Sequence, residues 1–197
     1  MFVYFRSMRP KDENKRIAIY HAAMEIINSD GLANVSMSKI AKAAGVSSST
    51  IYVYFENKED MLNKLYLMAT EEASATFYQE FTENMEVKAG LASFMRKFFI
   101  YMKAHPVKFS FIEQFFYSPN IRLETIETGH TYYEPLIELF VRGVQQKIIK
   151  DYPLQLIRAF TFAPIMGLVR YHHNQELDVN EDMLERAIEM AWRAVKV

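Results

Sequence analysis

The chain has 197 residues, 50% of them apolar and 24% charged, with a net charge of −1 and no cysteine. That balance fits a compact folded protein and excludes a disordered chain, a disulfide scaffold and thiolate chemistry. No apolar run approaches the roughly 18 to 20 residues of a membrane span and no cleavable leader opens the chain, so a cytoplasmic protein is expected.

The positive charge is concentrated early. Between Arg6 and Arg16 there are five Lys or Arg against two acids, and from Gly31 to Phe55 there are Lys39 and Lys42 against none. A polyanion contact is therefore expected in the first quarter of the chain. The opening MFVYFRS reads equally as a native arm or as a vector-derived remnant.

Apolar residues recur at three and four with few Gly or Pro breaks, which predicts an all-α protein of about nine helices. The first runs from about Asp12 to Asn28, with Ile17, Tyr20, Ala23, Met24 and Ile27 on one stripe and Gly31 just beyond its end. The second follows Ser36, a hydroxyl cap, and ends at Gly45. Ser47 then opens a third helix only two residues later, and a turn this short between two helices is the helix-turn-helix spacing. Asn57 caps a fourth helix with Glu59 and Asp60 in its first turn, continuing to Phe81.

The third helix is too short to persist alone, so Ile40, Val46, Ile51 and Phe55 are expected to hold it. Its other face then presents Ser47, Ser48, Ser49, Thr50, Tyr52, Val53 and Tyr54, with Lys58 beside them. Hydroxyls can donate to phosphates and base acceptors, first-turn amides favour phosphate, and a valine can touch a thymine methyl.

Residues Ile17 to Leu62 resemble the DNA-binding domain of TetR-family transcriptional regulators. The resemblance is carried by Ala22-Ala23, Ile26-Ile27, Gly31, Val35-Ser36-Met37, Ile40-Ala41, Ala44-Gly45-Val46-Ser47, Thr50-Ile51-Tyr52, Tyr54-Phe55, Lys58-Glu59 and Leu62. It implies an N-terminal three-helix helix-turn-helix domain over residues 1–58 and a larger helical ligand-binding and dimerisation domain over residues 59–197. The helix from 58 to about 83 would connect them. It further implies a cytoplasmic homodimer on a near-palindromic double-stranded operator. By the same resemblance Ser36 and Lys39 contact the DNA backbone, Ser48, Ser49 and Val53 occupy base-reading positions, and Thr50, Tyr52, Tyr54 and Lys58 hold phosphates. Ser48 and Ser49 depart from the family pattern, which often has a basic residue and a glycine there. A helical module that no longer binds DNA specifically is the alternative reading.

Beyond Glu83, helices are expected over Val87–Ala104, Val107–Phe116, Asn120–Ile149, Leu154–His173 and Glu181–Val195. Their aromatic density predicts an apolar cavity for a small apolar or aromatic ligand. Its candidate lining is Phe94, Phe98, Tyr101, Met102, Phe109, Ile112, Glu113, Phe116, Tyr133, Phe140, Phe162 and Met166. Glu127, His130 and Glu134 fall on one face if that segment is a single helix, yet one such cluster is more often solvated than metal-binding. No metal, cofactor or catalytic residue is expected, because no nucleophile, ligand set or phosphate loop is visible. The last two helices are apolar on more than one face, and family resemblance places the dimer contact there.

Overall fold

A computed structural model describes residues 10–82 and 84–197; the basic residues Arg6 and Arg9 and the segment MFVYFRS lie outside them. The described residues form ten α-helices and one short 3₁₀ turn. None of these helices is long and apolar enough to cross a membrane.

The helices are α1 (Pro10–Asp30), α2 (Met37–Ala43), α3 (Ser48–Tyr54), α4 (Lys58–Phe77), α5 (Val87–Ala104), α6 (Pro106–Phe116), α7 (Leu123–Thr131), α8 (Glu134–Gln145), α9 (Leu154–His173) and α10 (Glu181–Val195). They fall into two compact units. The first holds the described residues up to Ala69 together with Val107–Ile126, and the second holds Thr70–Pro106 and Glu127–Val197. The packing boundary between Ala69 and Thr70 thus lies inside α4.

In the first unit the core is built from Ile19, Ala23 and Ile27 of α1, Ile40 of α2, Ile51 of α3, Leu62 and Leu65 of α4, and Phe111 and Phe115 of α6. Ile17, read as a member of the α1 stripe, is 41% exposed, and Ile19 takes the inward position four residues before Ala23. Near the start of α4, Asn63 is buried and fully used. Its Nδ2 donates to the carbonyls of Glu59 and Asn120 at 2.8 and 3.0 Å, and its Oδ1 accepts from the Arg122 amide at 3.0 Å. Arg122 also donates through Nε to Glu59 at 2.6 Å, so the α6–α7 connection is tied to the first turns of α4.

Two helix ends set the geometry of the short helices. Helix α2 stops because Gly45 adopts φ +66, which lets its N–H reach the Lys42 carbonyl at 3.2 Å and the Val46 N–H reach the Ala41 carbonyl at 2.9 Å. This is a Schellman end, and it turns the chain into α3 within three residues. A Cβ at Gly45 would meet no atom within 4 Å, so the cost of any side chain there is conformational alone. Gly45→Ala is expected to lower stability by about 1 kcal/mol, and Gly45→Asn by less, when unfolding is followed in urea.

The segment read as one helix from Asn120 to Ile149 is two, α7 and α8, parted at Tyr132-Tyr133. Pro135 is the reason. It has no amide to donate to the preceding turn and its ring crowds that turn's carbonyl, so it is accommodated only in the first turn of a new helix. Similarly α4 ends at Phe77 rather than at Phe81, with residues 78–80 forming turns before α5.

The second unit is packed around α5. Phe94 lies between Phe77, Tyr78, Tyr133 and Phe162, with ring centroids at 5.2, 5.5, 6.2 and 5.3 Å. Arg96 forks onto Glu185 of α10 through Nε and Nη2 at 2.6 and 2.8 Å, which fixes the register of α5 against α10.

Candidate nucleic-acid interface

The N-terminal ends of α2 and α3 are each closed by the side chain of the serine just before them. Ser36 caps α2, its Oγ accepting the Lys39 amide at 3.3 Å, and Ser47 caps α3, its Oγ accepting the Thr50 amide at 3.1 Å. The Ser47 hydroxyl also lies 2.8 Å from Ser49 Oγ and 2.8 Å from Thr50 Oγ1. Three polar groups therefore converge on one oxygen at the start of α3.

Helix α3 is anchored by Ile51, which is fully buried, and by Phe55 just past its end. With those two inward, the helix period turns Ser48, Ser49, Tyr52 and Val53 outward. Tyr52 is 55% exposed and Val53 78%. Ser48 faces Tyr52 and Ser49 faces Val53 one turn apart. Thr50 and Tyr54 are half-buried, and Tyr54 packs against the core.

The flanking cations are held by the fold. Lys39 pairs with Asp30 at the end of α1, and the hydrogen bond from Lys39, helped by one from Ser29, holds the Asp30 carboxyl below the usual carboxylate range. Lys58, at the start of α4, donates to the Ala33 carbonyl at 3.2 Å. Each ammonium group thereby has a partner at or just after the end of α1. Lys42 is exposed on α2. Chemically the surface offers hydroxyl donors, one phenol, one projecting valine and ammonium groups at its margin, and that set suits a phosphate-lined groove.

The expected ligand-lining residues divide between the two units. Phe94, Phe98, Tyr101, Met102, Tyr133, Phe140, Phe162 and Met166 belong to the second, whereas Phe109, Ile112, Glu113 and Phe116 lie in the segment that packs with the first. In the second unit they form a ring cluster, with Phe140 on Phe162 at 6.3 Å and Phe98 on Phe77 at 5.4 Å.

The second unit also has open space along its surface. A groove of 720 Å³ runs along α8, lined by Tyr78, Phe81, Ile137, Glu138, Val141 and Arg142 among others. Burial, and then the neighbouring Tyr133, raise the Tyr78 phenol above its ordinary range, so it stays a proton donor. Arg142 donates to the Met85 carbonyl. These residues were not singled out from sequence; the signal was the interleaving of Ile137 and Val141 with Glu138 and Arg142 on one short helix. A second hollow of 320 Å³ opens between α9 and α10, lined by Tyr152, Leu156, Ile157, Phe160, Ala194 and Val195.

The helix break at Tyr132-Tyr133 separates Glu134, on α8, from Glu127 and His130, on α7, so the three do not share a helical face. Among the described residues no group of three or more His, Asp or Glu side chains is gathered as for a metal ion. The His130 imidazole is held below its ordinary pKa by burial and by Arg158, against a smaller opposing effect of Glu127.

Residues 19–65 match the model of bacterial regulatory proteins of the tetR family, and residues 94–196, more than half of the chain, match that of the tetracyclin repressor-like C-terminal domain. Among curated proteins the chain is 23% identical over 181 residues to an uncharacterized HTH-type transcriptional regulator of Haemophilus influenzae, covering 90% of this chain and 94% of that one. Among solved structures it is similar to a TetR family transcription regulator from Marinobacter aquaeolei VT8, with a TM-score of 0.89 and 29% identity over 96% of this chain and 99% of the other. It also shares the fold of the transcriptional regulator FadR from Bacillus subtilis in complex with stearoyl-CoA, with a TM-score of 0.72 and 24% identity over 89% and 96% of the two chains.

Proposed function

Because the chain belongs to the TetR family and is a DNA-binding regulator of transcription, we propose that it is a one-component repressor. In this reading it binds a near-palindromic operator as a homodimer and is released by a small apolar ligand. The observation that carries the DNA half is the closed hydroxyl cap of α3, which holds Ser48, Tyr52 and Val53 outward on a rigid surface element. Ser36, Lys39, Ser47, Thr50, Tyr54 and Lys58 would frame it against the phosphates.

The dimer reading is supported by two apolar stripes. On α9 they are Leu156, Phe160, Ala163, Gly167 and Tyr171, and on α10 Met183, Ala187, Met190 and Ala194, spaced by three or four. Phe160 is 54% exposed and Met190 71%, and a Cβ at Gly167 would meet nothing within 4 Å. Exposed large apolar side chains aligned on adjacent helices mark a surface awaiting a partner. Two α9–α10 pairs would make a four-helix contact, with the 320 Å³ hollow beside Phe160 available to a side chain of the second copy.

A small apolar ligand is supported by the ring cluster around Phe94, whose side chains must separate to admit one. The stearoyl-CoA complex of the Bacillus subtilis regulator favours a long-chain acyl compound within that class. Ligand would act by displacing α4, which carries residues of both units, and so spoil the roughly 34 Å match of two recognition helices to successive major grooves. Ligand and operator then oppose each other through one coupling free energy.

The test is binding of the chain's own upstream genomic fragments at about 50 mM and about 200 mM salt, with and without stearoyl-CoA. A dimer making six or more phosphate contacts should lose about a thousandfold in affinity between the two salts. A salt dependence no steeper than that of one phosphate contact would favour a helical interaction module instead. Acyl-CoA that binds tightly yet leaves operator affinity unchanged would sink the release mechanism.

A further inference from the structure

We propose that Val53 recognises the C5-methyl group of a thymine, one in each half-site, and that this apolar contact is the main source of base discrimination by α3. The inference rests on the DNA-binding reading and adds which feature of the base is read.

The residues of α3 are SSTIYVY. None is an arginine, lysine, asparagine or glutamine, the side chains that grip a purine edge by two hydrogen bonds at once. Hydrogen-bonded discrimination by α3 is therefore left to hydroxyl groups, which accept or donate without strong preference. For Ser49 and Thr50 the geometry reduces that role further. Ser49 Oγ is turned back to within 2.8 Å of the capping oxygen of Ser47, as is Thr50 Oγ1, so both hydroxyls are already engaged in closing the helix start. Spending either on a base would loosen the cap that holds the helix.

Val53 stands one turn beyond Ser49 on the same side and has no such commitment. At 78% it is the most exposed of the large hydrophobic side chains among the described residues. A lone exposed valine is ordinary on a protein surface. What distinguishes this one is its position on the outer face of the recognition helix, beyond a serine whose hydroxyl points away. Its β-branched side chain has one dominant rotamer in a helix, so two methyl groups are presented with little freedom left to lose on contact.

In the major groove only thymine among the four bases carries a methyl group, at C5. An apolar contact ignores whether the adjacent group is the O4 acceptor of thymine or the N4 donor of cytosine. It follows that 5-methylcytosine should be accepted in place of thymine, whereas uracil, which keeps every hydrogen-bonding group of thymine, should not.

The experiment selects duplexes from a randomised library with the full chain, wild type and Val53→Ala, then measures affinity for the recovered sequence. Single thymines are replaced by deoxyuridine, or the T·A pair by C·G with and without C5 methylation. A T·A pair at symmetric positions is expected. Deoxyuridine there should weaken the wild type about fourfold per half-site, the transfer value of one buried methyl group. Val53→Ala should lose a similar factor and no longer distinguish thymine from deoxyuridine, and 5-methylcytosine should restore much of what cytosine loses in the wild type. Equal sensitivity of both proteins to deoxyuridine, or none in the wild type, overturns the proposal while leaving DNA binding intact. Failure to enrich any duplex at low salt removes the DNA-binding reading, and this inference with it.

Discussion

Phe160→Glu is expected to convert the protein into a monomer and to reduce its operator affinity by at least about a hundredfold, while its helical content is retained. The side chain is more than half exposed on α9, so a carboxylate there meets water in the isolated chain and strains nothing. In a dimer through α9 and α10 the same position would face the other copy, where two glutamates would lose hydration and repel each other without a compensating cation. Loss of the dimer removes the second half-site's effective concentration, which by itself is worth a factor of about 10² to 10⁴. Light scattering coupled to gel filtration gives the oligomeric state, and circular dichroism the fold. Met190→Glu, on the α10 stripe, should behave the same way. Tyr117→Glu, equally exposed but in the α6–α7 connection, should leave a dimer with full affinity. If both stripe variants stay dimeric and bind DNA normally, the contact between copies is not on α9 and α10.

Phe94→Ala should cost about 3 to 5 kcal/mol of stability, read from urea unfolding. Phe94 is buried among Phe77, Tyr78, Phe98, Tyr133 and Phe162, which come from α4, the turn after it, α5, the α7–α8 junction and α9. Removing its ring forfeits the apolar transfer term and leaves a void that rings on separate helices cannot all close. Edge-to-face pairs add to the loss, since their geometry contributes beyond area. Phe94→Leu keeps most of the volume and should recover at least half of the difference. A loss below about 1 kcal/mol for the alanine variant would mean that the cluster is loosely packed. The cluster is also the proposed ligand region, so the alanine variant should bind a long-chain acyl probe with altered affinity even where its fold is intact.

Much of the first unit was legible in the sequence because its signals are local. Gly31, Ser36, Gly45, Ser47 and Asn57 each mark a helix end through a backbone angle or a side-chain oxygen that needs no distant partner, and α2 and α3 begin and end where those residues stand. The outward face of α3 was legible for the same reason: once Ile51 and Phe55 turn inward, the 3.6-residue period leaves no choice for Tyr52 and Val53. Ile17 and Ile19 mark the limit of that logic. Both fit an apolar stripe, and only the direction from which α2, α4 and α6 approach α1 decides that Ile19 is buried. The break at Pro135 is also written locally, but the apolar pattern continues through it on both sides and masks it.

The packing of the aromatic residues was not legible in the same way. Aromatic richness is a property of composition, and composition does not say which rings face one another. Phe109, Ile112, Glu113 and Phe116 resemble Phe94 and Phe98 in every local respect, yet they pack with the first unit, because the chain leaves the second unit at Pro106 and returns only after Ile126. Likewise the commitment of Ser49 and Thr50 to one capping oxygen, and of Lys39 and Lys58 to Asp30 and Ala33, depends on distances of a few ångströms between side chains. Sequence by itself determined the all-α class, the short helices α2 and α3 with their serine caps, and the family, since these follow from backbone preferences and spacing. Tertiary structure decided which polar groups are already satisfied and which remain to meet a partner. Burial and hydrogen bonding are settled only when segments distant in the chain are brought together.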